Sequence, residues 1–72
     1  MVDRKESNYA VACVNEFGKQ KNLSPKESYT YLVNYRGIDF LKEFYDVEHL
    51  FSFDDVVEDL ARICRNNGGA IL

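Results

Sequence analysis

At 72 residues, with a formal net charge of −3 and a sequence pI near 5.0, the chain has room for one hydrophobic core and lacks the clustered positive charge that holds nucleic-acid phosphates. Hydrophobic residues make up 46% and charged residues 29%, which is a folding composition rather than a disordered one. Two cysteines and one histidine fall short of a structural zinc site, and no apolar run approaches the roughly 18 residues of a membrane span.

Taken in chain order, Tyr9, Cys13 and Phe17 recur four apart with Ala10 and Val14 beside them, a stripe that predicts a first helix over 6–21. Ser24-Pro25-Lys26-Glu27 is a capping box with proline in the first turn, and it opens a second helix over 25–36. Tyr29, Leu32 and Val33 mark its expected buried face, and Gly37 is the expected left-handed terminator. Asp39 is placed to cap a third helix over 39–46, with Phe40, Leu41, Phe44 and Tyr45 on its apolar side. The stretch 47–51 has no clear period and reads as a connector whose Val47, Leu50 and Phe51 plug the core. Ser52 with Asp55 starts a last helix over 53–66, along which Phe53, Val56, Val57, Leu60, Ile63 and Cys64 form a continuous stripe; Asn66-Asn67-Gly68-Gly69 ends it. Ala70-Ile71-Leu72 is an apolar tail that either docks or frays.

The predicted fold is therefore all-α, a small bundle of four helices in one domain spanning 1–72. Cys13 and Cys64 lie on apolar stripes and are expected as buried, reduced core thiols. The start Met1-Val2-Asp3-Arg4-Lys5-Glu6 leads into no secretory apolar core, which reads as a cytoplasmic protein of bacterial type. A domain this small buries only about 60% of the surface its unfolded chain exposes, so association with a partner or a second copy is expected.

Phe44-Tyr45-Asp46-Val47-Glu48-His49, followed by the acidic Asp55-Val56-Val57-Glu58-Asp59, resembles the short bacterial helical proteins of domain-of-unknown-function family 3791. The likeness extends to the apolar first helix and to Leu23-Ser24-Pro25-Lys26-Glu27 as a Leu-Ser-x-x-Glu helix start. Its distinctive element is Tyr45-Asp46-Val47-x-His49. The resemblance implies a helical fold and an accessory or antitoxin-like role beside an ADP-ribosyltransferase-type toxin. It supplies no catalytic residues.

Two surfaces stand out as candidate partner sites. Asp54, Asp55, Glu58 and Asp59 crowd the start of the last helix beside Phe51 and Phe53, an acidic patch edged with aromatics that suits a basic partner. Part of that charge simply complements the helix dipole. Tyr29, Tyr31 and Tyr35 cannot all face one core, so Tyr31 and Tyr35 are the second candidate surface. Asp46, Glu48 and His49 mix carboxylates with imidazole; they read as a connector whose Asp46 and His49 cap neighbouring helix ends or bond backbone groups, with a minimal metal-assisted enzyme around His49 as the competing reading. A helix-turn-helix regulator is a further alternative, weakened by the net acidic set Asp39, Lys42, Glu43 and Asp46 on its would-be recognition helix. The leading expectation is a non-catalytic protein–protein interaction module that uses no cofactor and no metal.

Overall fold

The computed structural model describes residues 4–69 and is all-helical among them, with four helices of seven residues or more and one single turn. These are α1 (Arg4–Lys21), α2 (Pro25–Asn34), α3 (Gly37–Glu43), α4 (Tyr45–Glu48) and α5 (Phe53–Asn66). None of them is long and apolar enough to cross a membrane. The tail Ala70-Ile71-Leu72 lies outside the described residues.

The ends of the helices follow from local chemistry. Asn22, in the left-handed region at φ 58°, closes α1, and the Leu23 N–H returns to the Gly18 carbonyl at 2.8 Å. Ser24 then caps α2: its hydroxyl accepts from the Glu27 N–H at 3.1 Å while the Glu27 carboxylate accepts from the Ser24 N–H at 2.9 Å. Hydrogen bonding to Ser24, its backbone N–H first and then its side chain, holds the Glu27 carboxyl below its ordinary value. At the far end of α5, the Gly69 N–H bonds the Cys64 carbonyl at 2.8 Å and the Gly68 N–H that of Arg65 at 3.2 Å, a Schellman ending with Gly68 at φ +97°.

The core consists of Cys13, Val14 and Phe17 from α1, Leu32 from α2, Leu41 from α3, and Val56, Val57, Leu60 and Cys64 from α5. Helix α1 packs against both α2 and α5, and α3 bridges α2 to α5. Both cysteines are free and buried, as expected, and burial pushes each thiol up to about 11.

Four expectations change. First, α2 is rotated from its predicted face: Ser28 and Leu32 are buried, whereas Tyr29 (55% exposed) and Val33 face outward. The buried Ser28 hydroxyl donates to the Val14 carbonyl at 2.7 Å, and a Cβ on Gly18 would lie 3.0 Å from the Ser28 Cβ, so the close crossing of α1 and α2 is built on small residues. Second, the left-handed residue after α2 is Arg36, at φ 69°. Gly37 instead begins α3 and is buried, because a Cβ there would meet Leu32 Cδ2 at 2.7 Å and Cys64 Sγ at 3.2 Å. Asp39 consequently sits inside the first turn of α3 and does not cap it. Third, the predicted third helix breaks at Phe44 (φ −110°, ψ 23°), and residues 45–48 form the separate turn α4. Fourth, the supposed core plugs are exposed, Val47 at 51%, Leu50 at 75% and Phe51 at 45%, while Glu48 between them is 4% exposed.

Candidate partner-binding face

The acidic patch is assembled by the entry into α5. Ser52 caps that helix, accepting from the Asp55 N–H at 3.3 Å, which fixes Asp55 in the first turn next to the positive end of the helix dipole. One turn later come Glu58 and Asp59. Together with Phe51 these residues line an open depression of about 240 Å³. The other two expected members have turned away from it. Asp54 accepts from Gln20 Nε2 at 2.9 Å and ties α5 to the end of α1, while the Phe53 ring stacks on Tyr9 with centroids 6.4 Å apart. Tyr9 also meets the Tyr45 ring edge-on at 5.4 Å.

Asp59 is not a free surface charge. It is half-buried and accepts from Arg62 Nη2 at 3.0 Å. Its other neighbour is Glu48, whose carboxyl stands against that of Asp59, close enough for a hydrogen bond when one of the two holds a proton. Glu48 Oε1 is buried with no hydrogen-bond partner among the described residues. Burial, then Asp59, then Asp55 push the Glu48 carboxyl up to about 7, with Arg62 pulling the other way. From α1, the Tyr9 hydroxyl is buried against the Cys13 thiol at a geometry that makes no good hydrogen bond. Burial, reinforced by Cys13 and Glu48, pushes that phenol above its ordinary range. Behind this face, Glu48 is thus a buried carboxyl whose charged form is disfavoured.

The second predicted surface, Tyr31 and Tyr35, packs in part against the core. Tyr31 stacks on the core ring of Phe17 at 5.9 Å and touches Tyr35 at 4.8 Å, and both tyrosines are partly buried against the core. The exposed ring of α2 is Tyr29.

Over residues 8–67 the chain matches the model of a family described as protein of unknown function (DUF3791). The chain belongs to that family. No curated protein and no solved structure matches it. In this DUF3791 chain, the Tyr-Asp-Val-x-His stretch is α4 together with its C-cap. His49 Nδ1 donates to the Tyr45 carbonyl at 2.7 Å, and the imidazole stacks on the Tyr45 ring at 4.7 Å and 10°. It is a helix-end group bonded to backbone. Asp46 is exposed, Val47 is exposed, and Glu48 turns inward, so the carboxylates beside His49 in sequence do not converge on it. Among the described residues, no three His, Cys, Asp or Glu side chains are grouped to hold a metal ion.

Glu48 is the site residue that the sequence reading missed as a member of the patch. Its signal was present: Leu41, Tyr45 and Glu48 fall at i, i+4 and i+7, so the core-facing stripe of α3 continues through the break at Phe44 and carries a carboxylate inward.

Proposed function

We propose that this DUF3791 chain is a non-catalytic interaction module that binds a partner protein presenting basic and apolar groups, through the face built from Phe51, Asp55, Glu58 and Asp59. The observation that carries this reading is the shared depression in which three carboxylates stand beside an exposed aromatic ring. The exposed Val47 and Leu50, one helical turn or less from Phe51 in sequence, add apolar area of the kind that anchors interfaces. A toxin-like protein of ADP-ribosyltransferase type, the class implied by the family resemblance, is the first partner to test. A second copy of the chain is the competing occupant.

The test is titration of the partner recovered from the native host against the wild type, Glu58→Lys and Leu50→Ser. Both side chains are exposed, so circular dichroism should stay helical. Asp59 is a poorer choice because its reversal would break the Arg62 bond and disturb Glu48. Charge attraction at the rim should make Glu58→Lys bind about tenfold more weakly and with a smaller salt dependence. Unchanged affinity in both folded variants would remove this face from consideration.

A further inference from the structure

The depression contains an unresolved excess of negative charge. Asp55, Glu58 and Asp59 line it, and Glu48, nine-tenths or more buried, stands behind Asp59 on the interior side. Its Oε1 has no hydrogen-bond partner among the described residues. The nearest basic group is Arg62, which is itself mostly exposed and already bonded to Asp59. Phe51 closes one side with almost half of its surface open. What fits such a place is a planar, delocalised cation with several N–H donors, able to lie on an aromatic ring while donating to separated carboxylates. Because no three acidic side chains are grouped tightly enough for a metal ion among the described residues, an extended cation matches better than a point charge. Lysine, compact and strongly hydrated, matches it less well.

We infer that the depression is a receptor for one arginine side chain of the partner protein, its guanidinium donating to Asp55 and Asp59 and its plane resting on Phe51, with Glu48 behind them. This inference depends on the interaction-module reading and adds which residue of the partner is read. It also gives binding a proton balance. The proton held between Glu48 and Asp59 leaves to bulk water as the guanidinium arrives, so binding tightens as pH rises through the range in which Glu48, held near 7, ionises. The ionisable groups around Glu48 are Tyr9 and Cys13 from α1, Asp55, Asp59 and Arg62 from α5, and Tyr45, Asp46 and His49 on its own segment; α3 contributes the exposed Asp39, Lys42 and Glu43. Burial holds Tyr9 and Cys13 in their protonated forms throughout that range.

The probe is the blocked tripeptide Gly-Arg-Gly, compared with its lysine and citrulline versions, and the readout is carbon NMR of the Glu48, Asp55 and Asp59 carboxyls in the full chain. The arginine peptide should shift all three saturably with a Kd on the order of millimolar, severalfold tighter near about pH 8 than near about pH 6. The lysine peptide should bind more weakly and citrulline not at all. Asp55→Asn and Phe51→Ala, both at exposed positions, should each weaken the response severalfold while the chain stays helical. Repeating the pH series in His49→Gln removes the chain's one imidazole as a source of the pH effect. Carboxyl signals unmoved by the arginine peptide, or moved equally by citrulline, would overturn the receptor. If the peptide is silent while Glu58→Lys still weakens the native partner, the arginine receptor falls and the interaction module stands. If the partner ignores Glu58→Lys and Leu50→Ser, the module itself falls.

Discussion

Replacing Glu48 with glutamine should stabilise the domain, by an amount that grows as pH rises from the carboxyl's ordinary 4.5 toward about 7. A carboxyl raised from its ordinary 4.5 to about 7 binds its proton more tightly in the folded state than in the unfolded one. Between those two values the folded chain holds more protons, so stability from this group is fully present below about pH 4.5 and falls as pH rises toward 7. At about 1.4 kcal/mol per pH unit, the ionised folded state is penalised on the order of 3 kcal/mol, a large fraction of the roughly 4–11 kcal/mol expected for a domain of this size. Glutamine keeps the shape and can donate to Asp59 without ever becoming charged. Urea melts of both proteins at steps between about pH 4 and pH 8 isolate the effect, because carboxylates shifted the other way, such as Glu27, contribute equally to both. The two stabilities should agree near about pH 4 and separate with rising pH until Glu48→Gln is about 1–3 kcal/mol more stable. Parallel profiles would refute the argument, since they would mean that Glu48 reaches solvent in the folded state and ionises as an ordinary carboxyl.

Three further outcomes test the packing. Leu60→Ala deletes a fully buried side chain in the middle of α5 and should cost roughly 2–5 kcal/mol; a loss below about 1 kcal/mol in a denaturant melt would mean that the α5 face is misplaced. Gly37→Ala improves helix propensity by about 1 kcal/mol, yet it places a methyl 2.7 Å from the buried Leu32 Cδ2, so a net loss of about 1–3 kcal/mol is expected by the same assay, and a stabilised variant would contradict the close approach of α2 and α3. Cys13 and Cys64 should react with a thiol reagent only as fast as the domain opens, because both are buried and held as thiols; rapid labelling without denaturant would contradict their place in the core.

Most of the helical layout was legible because it is written in local chemistry. The Ser24 box and the Ser52 cap set the starts of α2 and α5, and Gly68-Gly69 closes α5, in each case through atoms within a few residues of one another. The strong stripe of α5 identified Val56, Val57, Leu60 and Cys64 as core from period alone. The short amphipathic elements were harder, because their facing depends on neighbours that periodicity does not contain. On α2, Tyr29 and Val33 are as apolar as the residues that won the interior, but the crossing with α1 requires a small side chain, and Ser28 supplies one whose hydroxyl finds the Val14 carbonyl. Gly37 was recognised as special for the wrong reason: the missing side chain, more than the freedom of φ, is what lets α3 approach Leu32 and Cys64.

The segment 44–51 shows why hydrophobicity by itself misassigned which of its residues face the core. Reading Val47, Leu50 and Phe51 as core follows transfer energies, and the fold exposes all three and buries Glu48 in their place. Because α4 continues the facing of α3, any residue at position 48 must turn inward, and burying a carboxyl there is tolerable only if it keeps its proton or meets a positive group. Within the chain it does the first, beside Asp59, at a cost that grows with pH. The same geometry leaves Phe51 at the rim of an acidic depression and Val47 and Leu50 exposed in the segment before it. A residue chosen for stability alone at position 48 would be leucine or methionine. Glu48→Leu is accordingly expected to raise the urea midpoint near neutral pH as Glu48→Gln does, and also to abolish the pH dependence of the arginine-peptide response while leaving Asp55 and Asp59 to bind it. A Glu48→Leu chain that binds the peptide with the wild-type pH dependence would show that the proton released on binding comes from elsewhere.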